Sequence, residues 1–144
     1  MMKICFVCLG NICRSPMAEF VMKDLVKDDD RFYIESRATS RWEKGKPIHA
    51  GTQRMLDQHE IDFNHMKGSQ PIRVEDLQEF DYIIGMDENN VADLKKLAKG
   101  KLKKKIFMFA KKGIPDPWHT GDFEETYRLI SQGCLEWLDY FNSL

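Results

Sequence analysis

Lys3-Ile4-Cys5-Phe6-Val7-Cys8-Leu9-Gly10-Asn11-Ile12-Cys13-Arg14-Ser15-Pro16 is the stretch on which the fold turns. Lys3 to Cys8 is a short apolar run, rich in β-forming residues, as a buried parallel strand would be. Gly10-Asn11 breaks it. Ser15 is a good helix N-cap and Pro16 fits the first helical position. Met17, Phe20, Val21 and Leu25 then share one helical face, and Asp28-Asp29-Asp30 ends the helix in a polar turn.

The alternation continues outward from this unit. Arg31–Ser36 reads as a second strand, Tyr82–Gly85 as a third and Lys105–Phe109 as a fourth. Helices are expected over His49–Glu60, Val74–Phe80 and Asp87–Ala98. The clearest is the last, where Tyr127, Ile130, Cys134, Trp137, Leu138 and Phe141 fall on one face. Arg41 to Pro47 and Pro115-Asp116-Pro117 are read as loops. Strands alternating with helices imply right-handed βαβ units, hence an α/β fold with a four-stranded parallel sheet and helices on both faces. Ligands bind such sheets at the carboxyl ends of the strands. Cys8 ends the first strand and Asp116 follows the last, so one crevice can hold both.

The 144 residues are read as one domain, 1–144. A chain of this size buries about 68–70% of its unfolded surface and folds without disulfide or structural metal. Lys and Arg number 22 against 23 Asp and Glu, a net charge of −1 that argues against a nucleic-acid partner. The apolar run Ile4–Leu9 is too short for a signal peptide. No stretch approaches the roughly 18 apolar residues of a membrane span. Cys5, Cys8, Cys13 and Cys134 are read as reduced thiols in a cytoplasmic protein, with no zinc ribbon or thioredoxin-type site, no metal and no cofactor expected.

The Cys8–Ser15 loop carries the chemistry. Five residues separate Cys8 from Arg14, enough to wrap backbone N–H groups of Leu9, Gly10, Asn11, Ile12 and Cys13 around an anion. The helix that follows adds its positive end. These dipoles and Arg14 favour a thiolate at Cys8. Arg14 brings a planar fork that matches a phosphoryl group, which Lys lacks. Gly10 is expected at positive φ, Asn11 tolerates αL, and the Ser15 hydroxyl can donate to the thiolate. A lone buried cysteine is the alternative for Cys8, but the full octet points to phosphoryl transfer onto sulfur. Asp116, held between two prolines, suits a general acid that protonates a leaving group and then activates water; an ordinary Asp-Pro turn is the competing reading. Trp42 and Trp118 lie in polar loops and are candidates for pocket walls that stack on a ring.

These residues resemble the low-molecular-weight protein tyrosine phosphatases, of bacterial type. The resemblance covers nearly the whole chain. It rests on Val7 to Pro16 and Asp116-Pro117, with support from Ser36 to Trp42, Phe80 to Ile83, Met86-Asp87-Glu88 with Asn90, and Gly121 to Glu124. It implies hydrolysis of phosphotyrosine in proteins through a phosphocysteine on Cys8, with Asp116 as acid and base. It also implies phosphate, sulfate or vanadate as active-site anions, and Ser36, Asp87 and Asn90 as braces of the loop and Asn11. The family often has two tyrosines after its Asp-Pro, where this chain has Trp118-His119. It often has a histidine near Lys67, leaving His65 and Lys67 as the two candidates. Three other functions compete with phosphotyrosine hydrolysis. A protein-arginine phosphatase of the same family typically has Thr in place of Ile12. An arsenate reductase needs a relay of further cysteines, and only Cys134 lies downstream. A non-catalytic phosphopeptide-binding module needs neither Cys8 nor Asp116. The lysines from Lys95 to Lys105 read as a solvated surface, with docking of acidic phosphopeptides as a second reading.

Overall fold

A computed structural model describes residues 1–144. In chain order the elements are β1 (Met2–Cys8), α1 (Arg14–Leu25), β2 (Phe32–Ala38), α2 (Ala50–Gln58), α3 (Val74–Glu79), β3 (Tyr82–Gly85), α4 (Glu88–Leu97), β4 (Ile106–Met108), α5 (Pro117–Thr120) and α6 (Phe123–Asn142). A 3-10 turn, Gly100–Lys105, leads into β4. The four strands are parallel in the order β2-β1-β3-β4. The chain thus leaves β1 toward β2 and returns past it to β3. That reversal opens a crevice at the carboxyl ends of β1 and β3.

β1 is the central strand and its apolar run is buried on both faces. Ile4, Phe6 and Cys8 join a larger core with α1, α2 and α6. Cys5 and Val7 join a smaller one under α3 and α4. Cys5 and Cys8 do stand at C-x-x-C spacing, contrary to the expectation that the chain has no such pair. In a strand an odd separation sends the two side chains to opposite faces, so the pair makes neither a redox couple nor a metal clasp.

Differences from the expected elements have local causes. α1 begins at Arg14 with Cys13 in the cap position and no side-chain cap bond, because the Ser15 hydroxyl is engaged with Cys8. Met22 and Val26 are buried where Leu25 was expected, since α1 is enclosed by the sheet, α2 and α6. β2 runs on to Ala38, whose partner in the ladder is Cys8. His49 and Asp87 cap α2 and α4 rather than joining them, accepting from the backbone N–H of Gly51 (2.9 Å) and Asn90 (2.8 Å). Asp116-Pro117 starts a short helix, α5, instead of continuing as loop: Asp116 accepts from Trp118 N–H at 3.1 Å, and Pro117 occupies the position where a missing N–H costs nothing. No helix is long and apolar enough to cross a membrane.

Candidate active site

The Cys8 sulfur lies at the carboxyl end of β1 and is almost wholly buried. Three donors surround it. The backbone N–H of Asn11 lies at 3.2 Å, that of Ser15 at 3.4 Å, and the Ser15 hydroxyl at 3.0 Å. The backbone N–H groups of Leu9, Gly10, Ile12, Cys13 and Arg14 have no protein acceptor, which leaves them free for an anion. Asn11 takes the left-handed conformation (φ 56°) that lets the loop close. Gly10 does not, contrary to expectation. Its lack of a side chain serves a close approach instead, since a Cβ there would stand 3.2 Å from the Glu43 side chain.

Arg14 is buried beside this loop. Its Nη1 donates to Asp87 Oδ2 (2.7 Å) and to the carbonyl of Ile114 (2.9 Å), and its Nη2 lies 3.5 Å from Asp116 Oδ2. Its Nε is buried without a partner, at a cost of about 1–3 kcal/mol for an unmade bond. Burial alone would weaken its charge, but Cys8, Asp87 and Asp116 outweigh that and hold the guanidinium above its ordinary range. Asp87 is steadied in turn: its Oδ1 accepts from Asn90 N–H, and Asn90 Oδ1 accepts from Met86 N–H at 3.2 Å. Asn90 therefore acts on Asp87 and the end of β3, and makes no bond to Asn11 or the loop.

Behind the loop lies a buried polar chain. Asn11 Nδ2 donates to Ser15 Oγ (2.8 Å) and Ser36 Oγ (2.9 Å), and Ser36 Oγ donates to Glu19 Oε1 at 2.5 Å. Asn11 Oδ1 accepts from Gln70 N–H (3.1 Å) and Lys67 Nζ (3.3 Å), which satisfies the whole amide. Lys67 also lies 3.8 Å from Glu19, whose other oxygen pairs with Lys23 at 2.7 Å. The side chains of Asn11 and Ser15 thus hold the loop from behind and do not line the pocket as expected of substrate contacts. Glu19 and Gln70 were missed by sequence reading, because nothing in their spacing marks them. Lys67, not His65, meets Asn11; the His65 ring packs on Phe63 at 4.2 Å.

In front of the loop is a pocket of about 140 Å³, floored by Cys8, Gly10, Cys13 and Arg14 and flanked by Leu9 and Ile12. Trp42 and Trp118 stand at its mouth, 75% and 57% exposed, a costly place for indoles without a ligand. Asp116 reaches the same space. Glu43 and His119 line it too and were not foreseen; each is the neighbour of a predicted tryptophan, the one signal available.

The sequence matches the family described as Low molecular weight phosphotyrosine protein phosphatase over residues 3–144. The chain belongs to that family. A Staphylococcus aureus relative named low molecular weight protein-tyrosine-phosphatase PtpA is 39% identical, over 97% of this chain and 94% of its own length. The crystal structure of a low molecular weight protein tyrosine phosphatase from Streptococcus pyogenes superimposes with a TM-score of 0.94 at 55% identity, covering 97% of this chain and 93% of that one. A Drosophila arginine phosphatase structure gives 0.88 at 32% identity, covering 97% and 98%.

Within this phosphatase family, the remaining thiols bear on the arsenate-reductase alternative. Cys134 lies on the inner face of α6 with its sulfur 3.8 Å from the Ala18 carbonyl, and burial pushes its thiol far up. It is fully buried and does not line the pocket. Cys5 is buried and pushed up in the same way. Cys13 is raised by burial first and then by Cys8 and Asp116 nearby. No relay of cysteines leads outward from Cys8.

Proposed function

We propose that this chain hydrolyses phosphotyrosine in proteins through a phosphocysteine on Cys8. The Cys8 thiolate attacks phosphorus, the S–P bond forms and the P–O bond to the ring breaks. Asp116 gives its proton to the departing phenolate oxygen. Water then attacks phosphorus, Asp116 takes its proton, the S–P bond breaks, and inorganic phosphate leaves with the thiolate restored. Arg14 and the loop N–H groups hold the equatorial oxygens throughout, and Leu9, Ile12, Trp42 and Trp118 hold the ring. Phosphate, sulfate and vanadate occupy the same cup. The single unit 1–144 carries the whole site, and no step needs a metal or cofactor. The reading places the enzyme in the cytoplasm, where Cys8 stays reduced.

The observation that carries this reading is the unpartnered, buried Nε of Arg14 beside a sulfur ringed by donors. A folded protein keeps such a donor unsatisfied at its own cost, and a phosphoryl oxygen would relieve it. Arginine phosphatase is the second reading, favoured by the Drosophila relative. Against it, Ile12 puts an apolar, β-branched side chain in the pocket, better suited to a ring than to a guanidinium. Purified protein assayed on matched phosphotyrosine, phosphoserine and phosphoarginine peptides decides between them. The expected order puts phosphotyrosine first by at least tenfold, with turnover abolished and phosphate binding kept in Cys8→Ser. Preference for phosphoarginine, or near-normal turnover in Cys8→Ser, would overturn it.

A further inference from the structure

A second groove of about 420 Å³ opens beside the phosphate loop, outside the active-site pocket. Four cations line it, Arg37, Arg41, Lys44 and Arg73, together with Ser69 and Gln70, and no aromatic side chain does. Arg37 is fixed: it is mostly buried, donates to the Ser36 carbonyl at 2.9 Å, and lies 3.6 Å from Glu35 and 3.5 Å from Asp76. Arg73 lies 3.7 Å from the same Asp76. Arg41 and Lys44 are exposed, and neither has a carboxylate within ion-pair distance. Two carboxylates thus face four cations, and the groove is left positive.

The groove shares its walls with the active site. Arg41 precedes Trp42, which stands at the pocket mouth. Ser40, one residue further back, binds the Leu9 carbonyl through both its N–H (3.1 Å) and its hydroxyl (2.8 Å). On the other wall, Ser69 Oγ donates to the Gly10 carbonyl at 2.7 Å and Gln70 N–H to Asn11. The carboxylate of Glu43 belongs to the pocket side of this turn and pairs with Lys46 at 2.9 Å. The lysine run from Lys95 to Lys105 cannot serve the same purpose. It leads into the amino end of β4, whereas the pocket lies at the carboxyl ends of the strands.

Resting on the proposed phosphotyrosine activity, we infer that the groove lined by Arg37, Arg41, Lys44 and Arg73 docks carboxylate side chains of an acidic segment flanking the target phosphotyrosine. An extended peptide advances about 3.3–3.6 Å per residue, so an acid two to four positions away reaches roughly 7–14 Å from the phosphotyrosine. Carboxylates are the matching occupant. A second phosphotyrosine would want an aromatic wall for its ring, which the groove lacks, and a free phosphate would want a closed nest of N–H groups like the one at Cys8. Exposed Arg and Lys heads suit side-chain carboxylates reached by a flexible chain.

The test is kcat/KM for phosphotyrosine peptides with Glu, Gln or Lys two to four positions on either side, with p-nitrophenyl phosphate alongside. Wild type is expected to prefer acidic over neutral peptides by about three- to tenfold, an advantage that fades as salt rises. R41A/K44A should lose that preference and keep its turnover of p-nitrophenyl phosphate. R41E/K44E should favour the lysine peptides. No acidic preference in wild type, or an undiminished one in R41A/K44A, overturns the docking role. A preference for doubly phosphorylated over acidic peptides that vanishes in R41A/K44A overturns carboxylate as the occupant. Failure of wild type on every aryl phosphate strikes at the phosphatase reading itself, a separate outcome.

Discussion

Lys67 puts an ammonium where an asparagine amide needs only a neutral donor. Its Nζ sits between Asn11 Oδ1, the Ser36 carbonyl (3.4 Å) and Glu19. Burial lowers its proton affinity, and the Arg37 charge adds to that, while Glu19 works the other way. The folded chain therefore gives up this proton at lower pH than the unfolded chain. Between those two points the unfolded state binds more protons, so the group's contribution to stability rises with pH, by up to about 1.4 kcal/mol per unit. Comparing urea midpoints of wild type and Lys67→Met across alkaline pH checks this. The gap should move in favour of wild type as pH climbs toward about 10.4, the ordinary lysine value. A gap that stays flat would mean Lys67 is as solvated as a surface lysine. At this scale the sequence was readable where a residue has one strong reason to be present, as with Asn11 in its left-handed turn. Glu19 escaped, and Lys67 could not be told from His65, because a glutamate and a lysine in a charged chain carry no mark of burial. The reason for Gly10 was also hidden, since a close approach from Glu43 is a tertiary fact.

Elements were legible in proportion to the regularity of their apolar pattern. β1 and α6 have a continuous apolar run and a clean helical face: β1 stands within a residue of its expected bounds, and α6 spans every residue named for its face. α5 and the turn before β4 did not, because a four-residue helix and a lysine run have no periodicity to read. α6 also has a feature its pattern does not announce. Gly133 faces the sheet, and a Cβ there would collide with the ring of Phe109, which follows β4 and is buried. Ala is the better helix former by about 1 kcal/mol. Overpacking costs about 1–3 kcal/mol, and the collision is with a confined ring, so the loss should win. Gly133→Ala is expected to lower stability by about 1–2 kcal/mol, read as a lower urea midpoint with unchanged slope. A rise in the midpoint would show that Phe109 turns aside freely and that helix propensity governs this position.

The whole molecule matters because its site is drawn from residues more than a hundred positions apart. Cys8 leaves β1, Asp87 leaves β3, and Ile114 and Asp116 follow β4; only the parallel order β2-β1-β3-β4 brings these ends together. The sequence foretold that convergence from topology alone, but not the ties that enforce it. Ile114 N–H donates to the Met86 carbonyl at 2.8 Å, while the Ile114 carbonyl accepts from Arg14. Two residues on, Asp116 has one oxygen committed to the Trp118 N–H and the other 3.5 Å from Arg14. In the proposed mechanism that second oxygen is the one that would meet a leaving group once phosphate engages the guanidinium. Asp116→Ala should leave the fold and anion binding intact and lower kcat on phosphotyrosine by about 10²–10⁴-fold. The loss should shrink toward nothing for aryl phosphates whose phenolate is so weakly basic that it departs without a proton. Plotting log kcat against leaving-group pKa for both proteins makes the comparison: a steeper negative slope in Asp116→Ala assigns the proton to Asp116. Parallel lines would mean that its carboxylate only positions Arg14 and caps α5, and the acid would have to be sought elsewhere in the pocket, with His119 the next group to test.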